Sequence, residues 1–400
     1  MRDKKIDRPI IFVANSSWYL DHYRSGLIRK CATVNKVIAL SPIDKSTECL
    51  SINALHIPWN INRENSKSFI ALILDFLRMY NLLRILKPKL IHSHTLKANL
   101  IVVVCAYFLK IPIVLSFAGL GKLNTKKNSI ILSILLKIIY FIGILENNKL
   151  LRFSRNYNRT KYIFQNAKDK RLFEKICNPQ KSKIFLIYGS GVPDELINFA
   201  KNNVNNFNYS IESSKNNKIN GCIYCGRLLR SKGIKIFTDI SKLDSKRKYF
   251  VYGEIDNASP DSFKEEQIKK LKKNKNLDFK GFVKNPLLKF RNKNYILLVP
   301  SIYGEGVPRA IAEALFLGIP VICSSNALSE IFTSDMVYVV DKRNPKSFLK
   351  KIEQVENELG KKIYQDKISQ GKNFVIKNMS EKKIISETLK IYKTFEHQNI

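Results

Sequence analysis

Short apolar runs alternate with helical periodicities through the first half of the chain. The runs that predict buried strands lie at residues 10–13, 37–40, 90–92, 112–115, 162–164 and 184–187. Apolar residues with helical spacing lie between several of them, at about 22–32, 66–86 and 97–109. Strands that alternate with helices in this way predict an α/β domain with a doubly wound parallel sheet.

The same alternation restarts near residue 219. The predicted strands lie at residues 222–225, 250–253, 277–279, 295–299 and 321–323, with helices at 234–243, 262–273 and 381–396. Because 400 residues exceed one ordinary core, we expect two domains. The predicted parts are an N-terminal domain, a linker rich in Asn, Ser and Lys, a C-terminal domain and a last helix that packs back on the first domain, at 1–200, 201–218, 219–378 and 379–400.

Two glutamates mark the loop and helix that follow the strand at 295–299. Pro308 suits the first turn of a helix, and Gly318 suits the left-handed residue just beyond its end. Glu305 is therefore predicted in the loop before this helix. Glu313 is predicted inside it, in an apolar setting where an ionised carboxylate needs a partner. In a parallel βαβ unit, ligands bind at the carboxyl ends of the strands, where this loop lies.

An anion site is predicted at the start of the same helix. Backbone amides near Gly306 and Val307 would be unpaired donors at the positive end of the helix, where a phosphate can bind. One carboxylate beside such a site, and another half-buried behind it, suggest a nucleotide-sugar pocket. A capped helix with one solvated glutamate explains the same spacing, and both readings stay open at this point.

A second loop follows the predicted strand at 222–225 and is bounded by Gly226 and Gly233. Arg227 and Lys232 can converge there on a pyrophosphate, the arginine through its planar fork and the lysine as a mobile point charge. The alternative is a pair of surface cations in a chain that has many.

Charge and cysteine usage restrict the class of protein. The formal net charge of +36 attracts polyanions, either nucleic acid or an anionic membrane. No helix-turn-helix, zinc-finger or RNA-recognition signature supports nucleic acid. Seven cysteines without a regular pattern fit a reducing compartment, and the charged start at residues 1–8 predicts no signal sequence. Cys222 and Cys225 form a CxxC within a strand-like run, which favours packed core thiols over a zinc or redox site.

The segment 129–145 is almost wholly apolar, with Lys137 near its middle and many cations in the flanks of the region 122–161. A helix that spans a bilayer needs about 20 apolar residues, so this segment is short for that role. A helix lying in the membrane interface fits it better, because cations border it on both sides. A buried core helix is the alternative.

Together the two loops resemble those of the retaining nucleotide-sugar glycosyltransferases of family 4. The resemblance rests on Gly226-Arg227…Lys232-Gly233 and on Pro300-Ser301…Glu305-Gly306-Val307-Pro308…Glu313-Ala314…Gly318-Ile319-Pro320-Val321. The two family glutamates are separated by seven residues, as Glu305 and Glu313 are here. The resemblance implies the GT-B fold, in which two Rossmann-like doubly wound domains face each other across a cleft.

The N-terminal half resembles a narrower subgroup, whose members act on undecaprenyl-diphosphate-linked sugars. The segments that carry this resemblance are 15–20, 94–99, 118–121, 164–166 and 189–192. The subgroup implies a lipid-linked glycan acceptor and a place in the synthesis of a bacterial surface polysaccharide, an O-antigen or a capsule.

The family resemblance implies a role for each residue on the donor side. Arg227 and Lys232 would bind the donor diphosphate and, with Glu305 on the hydroxyls of the donor sugar, would form the catalytic set. Glu313 would hold the ribose hydroxyls. Further donor contacts are expected at Gly226, Gly306, Val307 and Glu330. No metal or other cofactor is expected, and the sequence contains no Asp-x-Asp motif.

The acceptor side departs from the family pattern. Many members carry a histidine just after the strand that matches 112–115, and this chain has none there. His92 or His94, at the end of the preceding strand, could face the cleft instead, although a lone histidine is more often structural. Lys97 is a candidate for an acceptor phosphate, and Asn15 completes the candidate acceptor residues.

The leading interpretation is a cytoplasmic hexosyl or N-acetylhexosaminyl transferase that associates with the inner face of the cytoplasmic membrane. It would use a nucleoside-diphosphate sugar, preferably a UDP-sugar, and would not bind nucleic acid. One alternative is a sugar-nucleotide epimerase of GT-B architecture, which has no such glutamate pair. Another is a polyanion-binding protein that has kept the fold without activity.

Overall fold

The computed structural model describes residues 8–59, 61, 69–120, 129–145, 159–202, 218–256, 259 and 261–396. The chain forms two compact units, Met1–Ser190 with Ile384–Ile400, and Gly191–Lys383. Residues 191–200, grouped with the first domain by the sequence analysis, thus belong to the second unit. Most of the predicted linker 201–218, and residues 122–128 and 146–158 on either side of 129–145, lie outside the described residues. Lys161, at the end of the predicted cationic flank, is buried in a strand.

A seven-stranded parallel sheet of order β3-β2-β1-β4-β5-β6-β7 forms the centre of the first unit. Its strands are β1 Ile10–Val13, β2 Val37–Ser41, β3 Leu55–Pro58, β4 Leu90–His94, β5 Ile113–Phe117, β6 Thr160–Phe164 and β7 Ile184–Leu186. The strand order reverses between β1 and β4, where an open α/β sheet normally binds its ligands.

Helices cover both faces of this sheet. They are α1 Ser17–Ala32, α2 Thr47–Ser51, α3 Phe69–Leu86, α4 Leu96–Leu109, α5 Ser129–Leu145 and α6 Ala167–Cys177. Successive residues of β1 point to opposite faces, so Ile11 and Val13 enter the core beneath α3 to α6. Ile10 and Phe12 enter the other core, which α1 shares with Ile391 of the last helix.

A six-stranded parallel sheet of order β10-β9-β8-β11-β12-β13 forms the centre of the second unit. Its strands are β8 Gly221–Cys225, β9 Lys248–Tyr252, β10 Leu277–Gly281, β11 Tyr295–Val299, β12 Val321–Ser324 and β13 Tyr338–Val340. The remaining helices are α7 Asp194–Asn202, α8 Ile234–Leu243, α9 Glu265–Leu271, α10 Arg309–Phe316, α11 Pro345–Glu358, α12 Lys362–Asn378 and α13 Glu381–Glu396. Here the order reverses between β8 and β11.

The predicted fold class is confirmed: both units are α/β with a doubly wound parallel sheet. Gly318 takes the left-handed conformation predicted just beyond a helix, with φ 74°. The helix before it starts at Arg309, one residue later than expected, because Pro308 is its N-cap. The edge strand β3 was not predicted, since its sequence Leu-His-Ile-Pro has no continuous apolar run.

The apolar segment 129–145 is a helix over its whole predicted length. Leu132, Leu136 and Ile139 are buried in the core of the first unit, so one face of α5 is core. Among the described helices, none combines the length and the hydropathy needed to cross a bilayer.

Candidate functional site

Two loops meet at the carboxyl ends of β8 and β11, the neighbouring strands where the order of the second sheet reverses. Gly233 in the first loop has φ 76°, and a Cβ atom there would overlap the carbonyl group of Pro300 in the second. The amide of Ile302 donates to the carbonyl of Ser231 at 2.8 Å. This close approach requires glycine and brings the polar side chains of both loops together.

Glu305 lies in the loop after β11, and both of its carboxylate oxygens accept hydrogen bonds. Oε2 accepts from Nζ of Lys232, and Oε1 accepts from Oγ of Ser301. The Oγ of Ser324, at the end of β12, donates to the carbonyl of Ser301 at 2.6 Å and so fixes its backbone. The carboxylate, whose side chain is 11% exposed, is therefore held by one ammonium and one hydroxyl group.

The pKa of Glu305 is lowered from its ordinary value of 4.5. Burial alone raises this pKa, but the charge and hydrogen bond of Lys232, the hydrogen bond from Ser301 and the charge of Arg227 outweigh it. The side chain is consequently ionised at neutral pH. An ionised carboxylate only accepts hydrogen bonds, so it can orient the hydroxyl groups of a ligand.

Arg227 lies just after the end of β8, and both its side chain and its backbone carbonyl are hydrogen-bonded. Its guanidinium donates to Oδ2 of Asp256 at 2.6 Å, and its carbonyl accepts from the hydroxyl of Tyr224 at 2.8 Å. The Arg227 side chain is 40% exposed, and its charge lies close enough to Glu305 to lower the pKa of that carboxyl. Two cations, Arg227 and Lys232, thus lie beside one buried carboxylate, which suits a ligand that carries a diphosphate.

Glu313 is buried within α10 and has the charged partner that its apolar setting requires. Arg309, one turn earlier, donates from Nε to Oε1 of Glu313 at 2.7 Å. Just before the helix, the amides of Gly306 and Val307 have no hydrogen-bond acceptor among the described residues. The N-cap residue, Pro308, offers no side-chain cap either. The start of α10 therefore presents free backbone donors next to Glu305.

Two further residues of the predicted donor set lie in different settings. The amide of Gly226 donates to the carbonyl of Tyr252 at 2.9 Å, which ties the first loop to β9. A Cβ atom on Gly253 would overlap the carbonyl group of Gly226, so the backbones at these two glycines pack directly against each other. Glu330 is exposed in a turn after β12. Its contact with a donor stays a prediction.

His92, on β4, is a packed residue of the first unit. Its Nδ1 lies 2.6 Å from the hydroxyl of Tyr392, and its Nε2 lies 2.7 Å from Oγ of Ser116. Burial, and then the charge of Arg24, hold the pKa of His92 well below 6.5. The ring is 1% exposed, so His92 does not present a nitrogen at an open surface as the sequence analysis had considered.

His94, two residues later on the same face of β4, is fully buried and differently supported. Its ring stacks on Phe12 with centroids 6.4 Å apart and lies 5.5 Å from the ring of Tyr19. Neither ring nitrogen has a hydrogen-bond partner among the described residues. Burial, followed by the neighbouring charges of His92 and Arg24, lowers its pKa well below 6.5. The imidazole is therefore neutral.

The other two acceptor candidates lie at the same edge of the first sheet. Asn15 follows β1 and is partly exposed, and Lys97 lies in the first turn of α4, after β4. The Nζ atom of Lys97 lies 3.6 Å from Oδ2 of Asp75. Since β1 and β4 are neighbours at the reversal of strand order, both residues occupy the usual ligand-binding edge of such a sheet.

The cysteine pair of the second unit has the properties of core thiols. Burial raises the pKa of the Cys222 thiol far above its ordinary value, and burial raises that of Cys225 to about 12. Thiols with such pKa values are inert at neutral pH. Within the described ranges, no group of three or more His, Cys, Asp and Glu side chains is arranged to hold a metal ion.

The sequence of residues 206–374 matches the family of glycosyl transferases group 1. This matched region, here called the group 1 domain, is similar to that family over less than half of the chain. The domain contains Arg227, Lys232, Glu305 and Glu313, so the loop cluster described above lies wholly inside it. No curated protein matches the chain in sequence.

Solved structures extend the likeness to the whole chain. The sucrose-phosphate synthase of Thermosynechococcus elongatus is 14% identical, with a TM-score of 0.71 over 98% of this chain and 100% of that one. HepE of Anabaena, in complex with UDP and glucose, is 14% identical with a TM-score of 0.68 over 96% and 99%. A UDP-N-acetylglucosamine 2-epimerase is 13% identical with a TM-score of 0.59 over 96% and 97%. These likenesses show that the chain, including the region 206–374, has the GT-B fold.

Several residues of the cluster had no role in the sequence analysis. Ser301 was part of the quoted motif, but nothing in the sequence shows that its hydroxyl meets Glu305. Arg309 could have been found, because it precedes Glu313 by four residues on a predicted helix. Tyr224 lies only three residues before Arg227, but the sequence does not show that its hydroxyl meets the Arg227 carbonyl. Asp256 contacts Arg227 from a separate loop, which spacing along the chain does not show.

Proposed function

We propose that the protein is a retaining glycosyltransferase of family 4 that moves a hexosyl or N-acetylhexosaminyl group from a UDP-sugar to a lipid-linked glycan. The observation that carries this proposal is the cluster in which Lys232 and Ser301 hold the ionised carboxylate of Glu305, with Arg227 beside it. A glycosyl donor with a diphosphate leaving group needs cations and a hydroxyl-binding carboxylate next to each other. The group 1 domain supplies both at one sheet edge.

The proposed reaction balances without a covalent enzyme intermediate. The bond between the anomeric carbon and the β-phosphate oxygen of the donor breaks, and the acceptor hydroxyl oxygen bonds to the same face of that carbon. The hydroxyl proton passes to the leaving phosphate oxygen. Arg227, Lys232 and the amides of Gly306 and Val307 stabilise the charge that develops on this phosphate.

The remaining donor contacts follow from the same arrangement. Glu305 orients the hydroxyl groups of the transferred sugar, and Glu313 accepts hydrogen bonds from the ribose. Gly226 allows the donor to approach the backbone closely, and Glu330 completes the donor pocket. Metal independence is part of the proposal, since Arg227 and Lys232 carry the charge that meets the diphosphate; chelators should therefore leave turnover unchanged.

The identity of the donor and acceptor rests on likeness. The Anabaena neighbour was solved with UDP and glucose, which supports a UDP-sugar. The N-terminal motifs resemble those of enzymes that act on undecaprenyl-diphosphate-linked sugars, which supports a lipid-linked acceptor in O-antigen or capsule synthesis. Asn15, His94 and Lys97 are the proposed acceptor residues. His92 supports them only through its packing.

We also propose that the protein binds the inner face of the cytoplasmic membrane through the region 122–161. Within this region the structure describes α5, whose outward side carries Ile131, Ile134 and Lys137 in exposed positions. An apolar helix surface beside cations is typical of peripheral binding to anionic lipids.

The test is a screen of UDP- and GDP-sugars against lipid-diphosphate acceptors, with purified wild-type protein and with Glu305→Gln. We expect transfer from a UDP-sugar by the wild type and its loss in Glu305→Gln, because the amide cannot replace the carboxylate on Lys232 and on the sugar. Glu353→Gln, an exposed change on α11 of the same unit, is the matched control and should keep full activity.

Three other outcomes would contradict the proposed function or its catalytic set. Conversion of a UDP-sugar into its epimer without any acceptor would identify a sugar-nucleotide epimerase. Salt-dependent binding to nucleic acid without turnover of any sugar nucleotide would identify a polyanion-binding protein. Unchanged transfer by Glu305→Gln would remove Glu305 from the catalytic set.

A further inference from the structure

The helix α3 carries an apolar stripe on its solvent side. Ile70, Ile73, Leu74 and Leu77 are between 42% and 70% exposed. Their spacing of three and four residues places them on one face of the helix. The opposite face is core, since Met79 and Leu83 are fully buried. A helix with apolar residues on both its inner and its outer side is unusual in a soluble unit.

The helix α5 repeats this arrangement. Ile131, Ile134, Ile138 and Phe141 are between 41% and 57% exposed and follow one face of the helix. Its inner face enters the same core as that of α3. Both helices therefore expose an apolar stripe that no described residue covers.

The two stripes belong to one surface. Helices α3 and α5 both pack against α4, and all three cover the same face of the first sheet. Their solvent sides therefore point in the same direction, away from the sheet. Apolar patches of this extent on a monomer mark contact sites rather than ordinary exposed residues.

The exposed charged side chains described on α3 and α5 have one sign. Between them the two helices contain a single acidic residue, Asp75. Asp75 is 3% exposed and lies beside Lys97, so it contributes little to the surface. Arg78 and Arg84 on α3 and Lys137 on α5 are exposed. Apolar stripes with these cations beside them complement a bilayer, which is apolar within and anionic at its surface.

We infer that α3 and α5 together form one docking face for an anionic lipid bilayer, with both helices lying in the plane of the interface. This inference deepens the proposed membrane association, and its new element is α3, which no sequence motif singled out. The apolar stripes enter the boundary between headgroups and acyl chains, while Arg78, Arg84 and Lys137 meet the lipid phosphates. Two helices in one plane hold the first unit in a fixed orientation on the membrane, which one helix alone does not.

The experiment measures co-sedimentation of the full chain with vesicles of phosphatidylglycerol and phosphatidylcholine. The α3 variant Ile73→Ser with Leu77→Ser should lower the partition coefficient about tenfold, because less apolar surface enters the membrane. The α5 variant Ile134→Ser with Ile138→Ser should lower it by a similar factor. The matched control, Ile363→Ser with Ile376→Ser, removes two exposed isoleucines of α12 and should bind like the wild type.

A second measurement does not depend on loss of binding. In Leu74→Trp, the indole emission should shift to shorter wavelength with vesicles and be quenched by brominated lipids. Wild-type partitioning of the α3 variant, or an unshifted Leu74→Trp spectrum, overturns the inference. So does a dimer that dissociates in the α3 variant while vesicle binding persists, since the face would then contact a second copy.

Transfer to a short-chain, water-soluble acceptor separates this inference from the proposed function. The α3 variant should keep that transfer at the wild-type rate while it loses vesicle binding. Vesicle binding by a wild type that transfers no sugar would leave the docking face in place and remove the proposed function instead.

Discussion

Two polar clusters lie at the carboxyl ends of central strands, one in each unit, and their hydrogen bonding differs. After β11, Glu305 has both oxygens bonded, and Lys232 and Ser301 are their donors. At the end of β4, several buried polar atoms have no partner among the described residues: Ser93 Oγ, both ring nitrogens of His94, Thr95 Oγ1 and Asn99 Oδ1. The carboxylate of the first cluster, here called the complete cluster, has hydrogen bonds to both oxygens, whereas these atoms of the second cluster have none among the described residues.

The backbone also differs between the two clusters. Thr95, between β4 and α4, has φ 75°, a left-handed conformation that a β-branched residue adopts only under strain. Strain of this kind, like each buried unpaired polar atom, costs about 1–3 kcal/mol. The Glu305 carboxylate thus holds its geometry by contacts within the chain. The cluster after β4 keeps unpaired polar atoms, at the expense of stability, at the edge where we propose that the acceptor binds.

The largest expected effect comes from breaking the complete cluster. Lys232→Met removes the ammonium group that holds Glu305 and that, in the proposed reaction, meets the diphosphate, so we expect kcat to fall by about 10²–10³-fold. Steady-state transfer assays with the UDP-sugar found in the screen measure the loss. Binding of UDP, measured by calorimetry, should weaken as well.

The control for this variant is Lys235→Met on α8, where the lysine pairs with Asp239 on the solvent side. Its turnover should equal that of the wild type. If Lys232→Met also retained wild-type turnover, the ion pair with Glu305 would be structural, and the contrast between the two clusters would lose its functional meaning.

The next effect compares the two histidines of β4. His92→Phe leaves the Tyr392 hydroxyl and Ser116 Oγ without their shared partner, so the free energy of unfolding should fall by about 2 kcal/mol. His94→Phe removes two buried nitrogens that have no partner, and it should leave stability unchanged or raise it. Urea unfolding at pH 7.5 measures both variants. Equal destabilisation by both would show that His94 is as well bonded as His92.

The pH dependence of stability tests the same pair. Both histidines have a pKa well below 6.5 in the folded chain, so the unfolded chain binds more protons as the pH falls below that value. Their contribution to stability is therefore full above pH 6.5 and is lost progressively below it. The loss should be smaller in His94→Phe than in the wild type, as thermal unfolding between pH 7.5 and 5.5 can show.

The sequence predicted more of the fold than of the side-chain contacts around the site. Gly318, Pro308 and the spacing of Glu305 and Glu313 are local signals, and they located the donor loop and its helix. Periodicity also located most strands with continuous apolar runs. It did not locate β3, which contains a histidine, or β13, a strand of three residues. The support of Glu305 by Ser301, and the burial of His94, depend on how separate strands meet. Such contacts lie beyond local patterns.

A smaller effect is expected from loosening the complete cluster without breaking it. Ser301→Ala removes one of the hydrogen bonds that lower the pKa of Glu305, so that pKa should rise towards its ordinary value. A lowered carboxyl pKa gives stability that is present above the ordinary value of 4.5 and lost as the pH falls through the folded value. In Ser301→Ala this loss should start at higher pH, as should the acid limb of kcat/KM. Ser347→Ala, at the exposed start of α11, is the control.

The smallest effect concerns Arg227, which binds Asp256 within the chain and, in the proposed reaction, must also meet a diphosphate. The Arg227 side chain is 40% exposed, so the ion pair should contribute less than about 1 kcal/mol to stability. Asp256→Asn keeps a hydrogen-bond acceptor for Arg227 but removes a negative charge that repels the ligand. UDP should therefore bind a few-fold more tightly to this variant, and the gain should shrink as salt is added. Calorimetric titration at two salt concentrations measures it. Weaker binding would mean instead that Asp256 aims Arg227 at the diphosphate, in the way that Ser301 and Lys232 hold Glu305.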